Sequence, residues 1–175
     1  SKVMLVTEKN VFMEKVISLI SGIELFKTNY EGADDIKGYD LYIFDGIIPE
    51  KLPEDGNIIV FNPPDNEIFT VTGNVELPAV EKSEHELFKY ISDYSFSIGK
   101  SRVFDIPLWG ESVLESDKGT IVFAGTLDNK RIAVFGFDIH DTDIPLTPSF
   151  PILMSNTFEW LLPSSIKNVE KVFPG

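Results

Sequence analysis

The stretch that decides the fold is FDIHDTDIPLTPSFPILMSNTFEWL, residues 137–161. A hydrophobic strand over residues 132–137 runs into an acidic turn that holds His140, one of two histidines in the chain. Thr147 and Pro148 then open an apolar helix, because threonine caps a helix start and proline fits its first turn. A strand-to-helix junction of this kind is where an α/β sheet places its ligand or catalytic site.

The chain upstream of this stretch alternates short apolar runs with polar connections. Asn10 is suited to cap a helix whose apolar positions recur at helical spacing, and Gly22 ends that helix. Continuous apolar runs are typical of strands buried on both faces, so the pattern predicts a parallel, doubly wound α/β sheet. The strand-forming runs are residues 3–7 (VMLVT), 23–26 (IELF), 41–44 (LYIF) and 57–61 (NIIVF).

The second half of the chain adds a helix and a hairpin to this prediction. The sequence Ser83-Glu84-His85-Glu86 fits a capping box, which predicts a helix reaching about residue 94 with His85 on the surface. Asp128-Asn129 lies between two apolar runs and predicts a late β-hairpin with a two-residue turn. Trp109 is expected either to pack on the sheet or to anchor a partner.

Composition narrows the classes of partner. The 175 residues fit one domain, which we place at residues 1–162, with residues 163–175 as a C-terminal tail. A net charge of −13 disfavours nucleic acid and direct contact with an anionic membrane. The absence of cysteine excludes disulfides, thiolate metal sites and cysteine nucleophiles.

The predicted strand ends carry the candidate site residues. A nucleophile elbow needs a serine or cysteine on a tight turn with backbone N–H donors beside it. Here one strand ends in Asn62-Pro63-Pro64, and proline has no N–H and a fixed φ. We therefore expect no catalytic residue, no cofactor and no metal, and a candidate interaction or ligand site at Asp45, Asn62, Asp138, His140, Asp141 and Asp143.

The acidic turn supports three interpretations. Asp and Thr favour turns because their side chains bond nearby backbone amides, so a structural turn is the first. A binding surface for a partner or ligand is the second. The third is a divalent-metal site, since carboxylates and imidazole are suitable ligands; it would use Asp45, Asp138, His140 and Asp143.

Three segments together resemble the class I glutamine amidotransferase-like domain of certain bacterial membrane proteins. The segments are VMLVTEKNVFMEKV (residues 3–16), YDLYIFDGIIPEKLPEDGNIIVFNPP (39–64) and RIAVFGFDIHDTDIPLTPSFPILMSNTFEWL (131–161). Such proteins combine Bat-type (aerotolerance) membrane helices, a von Willebrand factor A domain and this α/β domain. The resemblance implies a three-layer α/β/α fold with a mainly parallel, flavodoxin-like sheet and the late hairpin.

The sequence departs from the catalytic pattern of the class I amidotransferases at each position. Those enzymes use a cysteine on an elbow, and a histidine and a glutamate two residues apart. This chain has no cysteine, Asn62-Pro63-Pro64 stands in the elbow region, and His140 is followed two residues later by Thr142. The resemblance therefore implies a degenerate domain without amidotransferase activity.

The function expected from the resemblance is protein interaction or scaffolding in a membrane-anchored von Willebrand factor A protein. Protein partners are expected, including a von Willebrand factor A domain in the same chain, while the oligomeric state is left open. The domain is expected outside the cytoplasm, with the tail leading toward a membrane helix. Alternatives are a small-ligand- or metal-binding domain and, last, a hydrolase with an unrecognised nucleophile.

Overall fold

The computed structural model describes residues 1–162, which form ten β-strands, two α-helices and four short 3₁₀ helices. The predicted tail, residues 163–175, lies outside the described residues. The 3₁₀ helices are Tyr30–Gly32, Glu86–Phe88, Ile139–Asp141 and Ile144–Leu146. The α-helices are α1 (Val11–Ser18) and α2 (Ser149–Leu161), and the strands are β1 (Lys2–Val6), β2 (Glu24–Thr28), β3 (Leu41–Asp45), β4 (Asn57–Phe61), β5 (Thr70–Glu76), β6 (Val80–Lys82), β7 (Lys100–Asp105), β8 (Gly110–Ser116), β9 (Gly119–Leu127) and β10 (Lys130–Phe135).

All ten strands belong to one mixed sheet in the order β2-β1-β3-β4-β10-β9-β7-β5, with β8 pairing to β9 and β6. Strands β2, β1, β3, β4 and β10 run parallel to their neighbours within this group. From β10 onward every pairing is antiparallel. The parallel half gathers the carboxyl ends of β1, β3, β4 and β10 at one edge of the sheet.

The predicted fold class is wrong. The described chain is mostly strands, with two α-helices and a sheet that is half antiparallel, and not a three-layer, mainly parallel, flavodoxin-like α/β/α domain. The cause lies in the connections after β2 and β3, which contain no α-helix. They carry Gly32 and Gly38, and then Pro49 and Pro53, and glycine and proline oppose helix formation.

The two faces of the sheet are consequently covered by different kinds of structure. Residues alternate between the faces along each strand, as the period of two requires. One face, which includes Val3 and Leu5, packs under α1 and α2, and Phe158 of α2 belongs to the same hydrophobic cluster. The other packs largely under loops, with side chains such as Ile36 and Leu52 where a doubly wound fold has helices.

The helix predicted to follow Ser83 is also wrong. Only one turn of 3₁₀ helix forms, at Glu86–Phe88, and its N-cap is His85, whose ring accepts the N–H of Leu87 at 3.1 Å. The turn ends at Lys89, whose backbone is extended with φ of −60° and ψ of 141°, and Tyr90 then adopts a left-handed conformation with φ of +68°. The capping-box pattern therefore marks a helical start that is not continued.

Two local predictions are confirmed. The side chain of Asn10 caps α1 by accepting the N–H of Met13 at 3.1 Å. Strands β9 and β10 form the late hairpin, with Leu127 opposite Lys130. Its turn residues Asp128 and Asn129 both have positive φ, at +49° and +65°, as a two-residue hairpin turn of the favoured hand requires.

Candidate functional site

Asp45 occupies the centre of the carboxyl edge of the parallel strands. It ends β3 and is only 7 % exposed. Its Oδ2 accepts the hydroxyl of Thr7 at 2.7 Å and the side-chain amide of Asn10 at 3.0 Å. Since Asn10 also caps α1, the carboxylate ties β3 to the start of that helix. Thr7 and Asn10 were not predicted as site residues, because this contact joins positions 35 and 38 residues apart.

The electrostatic surroundings of Asp45 link it to the acidic turn. Burial raises the pKa of the Asp45 carboxyl above its ordinary value, and the two hydrogen bonds from Thr7 and Asn10 oppose that rise. The negative charge of Asp138 raises this pKa further, while His140 lowers it. Asp45, Asp138 and His140, three of the six candidate residues, thus lie near one another at this edge.

Tyr30 is a member of this edge that sequence reasoning missed. Its hydroxyl donates to the backbone carbonyl of Asp45 at 2.7 Å, and its backbone N–H donates to Glu8 at 3.2 Å. Its pKa is raised by burial first and then by the charges of Asp45, Glu8 and Asp138. Gly46, which follows β3, has φ of +83° and leaves room for the Tyr30 hydroxyl.

Asp138 and His140 form a local pair at the end of the strand-to-helix junction. The Nδ1 atom of His140 lies 2.7 Å from Oδ1 of Asp138, and the backbone N–H of His140 donates to the same oxygen at 2.9 Å. The side chain of His140 is 46 % exposed and that of Asp138 is 29 % exposed. The ring of Phe12 packs 5.7 Å from the imidazole. Asp138 therefore serves first as the cap of its own turn.

Asp141 and Asp143 serve a different part of the molecule. Asp143 accepts the backbone N–H of Ser97 at 2.7 Å and the hydroxyl of Ser97 at 3.0 Å. The backbone carbonyl of Asp141 accepts the N–H of Gly99 at 2.7 Å, and its carboxylate lies 4.0 Å from the ammonium of Lys100. These two aspartates hold the acidic turn against the segment that leads into β7.

Asn62 occupies the predicted elbow position without forming an elbow. Its φ is +47°, and its backbone N–H donates to Phe135 on the neighbouring β10 at 2.9 Å. The next carbonyl, that of Pro63, accepts Nε of Arg102 at 3.0 Å, and the same guanidinium donates to Asn74 at 2.8 Å. The end of β4 is therefore braced by the antiparallel half of the sheet.

The metal interpretation receives no geometric support from these positions. In residues 1–162 no group of three or more histidine, aspartate or glutamate side chains is arranged to hold a metal ion. Of the six candidate residues, Asp45, Asp138 and His140 lie at one edge and the remaining aspartates turn toward residues 97–100. The acidic turn matches its structural interpretation most closely.

A second feature, between β6 and β7, was not predicted. Lys82, at the end of β6, donates through Nζ to the carbonyls of Phe88 at 3.4 Å and of Ile91. The backbone N–H of Lys82 donates in turn to the carboxylate of Asp93 at 3.0 Å. A single lysine therefore closes the segment into a compact turn.

Helix α2 holds the same segment from the other side. Asn156, which is 6 % exposed, donates from its side-chain amide to the carbonyls of Leu87 at 3.1 Å and Lys89 at 2.8 Å. At the start of α2, the hydroxyl of Ser149 lies 2.9 Å from that of Ser95. The segment is fixed along its length and not merely at its ends.

We name residues 89–95 the tyrosine loop. Its two aromatic side chains point into solvent, with Tyr90 83 % and Tyr94 97 % exposed. Leu146, three residues before Ser149 in the sequence, is also 79 % exposed. Nζ of Lys89 lies 5.9 Å from the ring centre of Tyr90, a cation–π distance. The most exposed tyrosines of residues 1–162 thus lie on a rigidly held loop.

His85, beside this loop, is not on the surface as predicted, since its side chain is only 9 % exposed. Its Nδ1 accepts the N–H of Leu87, its Nε2 lies 3.3 Å from Glu111, and its ring packs against Trp160 at 5.5 Å. A neutral imidazole protonated on Nε2 fits both polar contacts. Burial lowers the pKa of His85, and the charge of Glu111 opposes this.

Trp109, for which the sequence left two alternatives, packs on the sheet. The residue is half-buried, and its ring lies 5.7 Å from that of Phe123. Among the aromatic side chains of residues 1–162, those of Tyr90 and Tyr94 in the tyrosine loop are therefore the most exposed.

Comparison with known proteins identifies the fold and no family. No family model matches the chain, and no curated protein matches it. Among solved structures, it is similar to the cytoplasmic protein STM1381 from Salmonella typhimurium LT2, with a TM-score of 0.69, 10 % identity, and coverage of 92 % of this chain and 99 % of that one. It is also similar to the cytoplasmic protein STM3548 from Salmonella typhimurium, with a TM-score of 0.68 and 11 % identity. That match covers 91 % of this chain and 98 % of the other.

A third structure, titled mmIFT52 N-terminal domain, has a TM-score of 0.61 at 14 % identity and covers 92 % of this chain and 97 % of its own. Likeness at these identities shows a shared fold alone. The predicted extracytoplasmic location in a membrane-anchored protein is wrong on this comparison, since both Salmonella structures are titled cytoplasmic proteins. Between residues 1 and 162, no helix is long and apolar enough to cross a membrane.

Proposed function

We propose that this chain is a non-catalytic protein-interaction domain. The observation that carries the proposal is the tyrosine loop, where Tyr90 and Tyr94 are held in solvent by a clamped backbone. Tyrosine is enriched among the residues that contribute most to protein–protein affinity, because its ring offers a large contact area with little entropy to lose. A von Willebrand factor A domain in the same chain remains a prediction of the sequence resemblance alone.

The polar residues at the strand ends also support a non-catalytic role, because their hydrogen bonds are structural. Here the carboxylate of Asp45 accepts two side chains, and that of Asp143 accepts two groups of Ser97. Asp138 accepts both the ring and the backbone N–H of His140. These groups hold backbone segments together, which is a structural role.

Site-specific photo-cross-linking tests this proposal. A photoreactive phenylalanine analogue is placed at position 94, in cells that express the chain naturally, and a matched one at Leu108, which is fully exposed on the turn before β8. We expect a discrete protein adduct from position 94 and none from position 108. The adduct is then reproduced with both proteins purified.

Hydrolysis assays give the opposing test. Purified chain is incubated with glutamine and with p-nitrophenyl esters, alongside the variants Asp45→Asn and His140→Ala. We expect no turnover above the rate without protein. Turnover that is measurable in the wild type and absent from either variant would replace the interaction proposal with a hydrolase that uses the strand-end residues.

A further inference from the structure

We propose that the tyrosine loop, residues 89–95, is the docking surface for a partner segment that carries arginine or lysine beside apolar side chains. This inference rests on the proposed interaction function and names its surface and the chemistry of its partner.

The tyrosine loop is preorganised. Seven residues of loop ordinarily lose conformational freedom on binding, and this reduces affinity. Here Lys82 binds the carbonyls of Phe88 and Ile91 from one side, and Asn156 binds those of Leu87 and Lys89 from the other. A loop fixed before the partner arrives forfeits little entropy when it is covered.

The chain tolerates backbone strain at Tyr90, where the ring is presented to solvent. Its φ of +68° lies in the left-handed region, which is unfavourable for a residue with a bulky side chain. The ring is 83 % exposed, so it contributes little packing in return. Strain of this kind concentrates at ligand-binding and functional positions. A glycine would suit the fold better, and a tyrosine suits recognition.

The charge of the chain favours a cationic partner. The net charge is −13, and residues 82–95 contribute Glu84, Glu86 and Asp93 against Lys89 and Lys82, whose ammonium is already bound by the carbonyls of Phe88 and Ile91. Complementary charge steers a cationic partner toward such a surface and disfavours a second copy of this acidic chain. The contact between Lys89 and the Tyr90 ring already shows a cation at this ring, and arginine stacks well on tyrosine.

The test is a selection from a phage-displayed library of random dodecapeptides on the immobilised wild-type chain, followed by titration of the enriched peptides as synthetic peptides. We expect enriched sequences to combine arginine or lysine with apolar residues. Their affinity should fall as sodium chloride is raised, because the exposed charges that attract them are screened.

Matched variants locate the binding surface. Tyr90→Gly and Tyr94→Ala should each weaken the selected peptides about tenfold or more, as expected for central aromatic anchors. The controls Leu77→Ala and Leu108→Ala, which remove other highly exposed apolar side chains, should change affinity less than about twofold. Tyr90→Gly relieves the left-handed strain, so its unfolding midpoint should not drop and lost binding cannot be attributed to misfolding.

Three results would overturn this proposal. Enriched peptides that bind both tyrosine variants as well as the wild type would place recognition on another surface and leave the interaction function standing. Enriched peptides without arginine or lysine would refute the partner chemistry. No enrichment would remove the docking surface, and only the cross-linking experiment decides whether the interaction function falls with it.

Discussion

Replacing Asn156 with alanine removes the clamp that α2 places on the tyrosine loop. The side-chain amide donates to the carbonyls of Leu87 and Lys89 at 3.1 and 2.8 Å. Within residues 1–162 no other protein group donates to these two carbonyls. The variant therefore leaves two acceptors without a partner at a site where Asn156 itself is 6 % exposed.

The expected cost follows from these contacts. Two hydrogen bonds contribute about 1 kcal/mol each, and a carbonyl left buried without a donor adds about another 1 kcal/mol. Alanine in place of asparagine inside a helix returns about 0.5 kcal/mol through its higher propensity. We predict that the free energy of unfolding of Asn156→Ala decreases by about 2–3 kcal/mol, measured by urea titration with an unchanged m-value.

A local measurement separates the clamp from a general loss of stability. Amide hydrogen exchange at residues 86–91 should accelerate more than exchange in β3 or β4, because the lost bonds restrain only the loop. The neighbouring variant Ser155→Ala, at an exposed position of the same helix, should change stability by less than about 0.5 kcal/mol. A loss below that level for Asn156→Ala, or a loss without faster exchange at residues 86–91, refutes the argument.

Two further predictions concern other parts of the molecule. Gly46→Ala should lower the free energy of unfolding, measured by thermal unfolding, by about 1 kcal/mol more than Gly38→Ala does. Both glycines have positive φ, but only at Gly46 does the added Cβ displace the Tyr30 hydroxyl, 2.5 Å away, from its hydrogen bond. Equal losses in the two variants would contradict this reasoning. The folded chain holds His85 with a pKa below its ordinary value near 6.5, so it binds fewer protons than the unfolded chain and its stability falls as pH decreases below about 6.5. Glu111→Gln should steepen that fall in urea titrations between about pH 5 and 8, since Glu111 raises this pKa, and an unchanged or shallower profile would show that the pair does not interact.

The parallel half of the sheet could be predicted from sequence because each strand is a continuous apolar run. Such a run needs only its own composition to be recognised, and Asn10 marks the start of α1 in the same local way. The missing helices have a local reason too. Gly32, Gly38, Pro49 and Pro53 all lie in connections where a doubly wound fold has helices, and the sequence indicates polar segments and loops there, yet the resemblance to a doubly wound family outweighed them.

The contacts that define both functional features are not local. Asn156 reaches Lys89 across 67 residues, and Thr7 reaches Asp45 across 38. The left-handed backbone of Tyr90 could not be predicted from the sequence, because glycine and asparagine are the residues that usually adopt this conformation. The strand-end carboxylates were located correctly from the strand pattern, whereas their partners depended on how distant segments meet.

The central claim is that the tyrosine loop, and not the strand-end carboxylates, is the recognition surface. Chemical-shift mapping on the isotope-labelled chain, titrated with a synthetic arginine-containing peptide from the library selection, tests it most directly. We predict that the largest amide shifts fall within residues 84–95 and at the start of α2, around Ser149. Largest shifts at Asp45, Asp138 and His140, with the tyrosine loop unchanged, would contradict it.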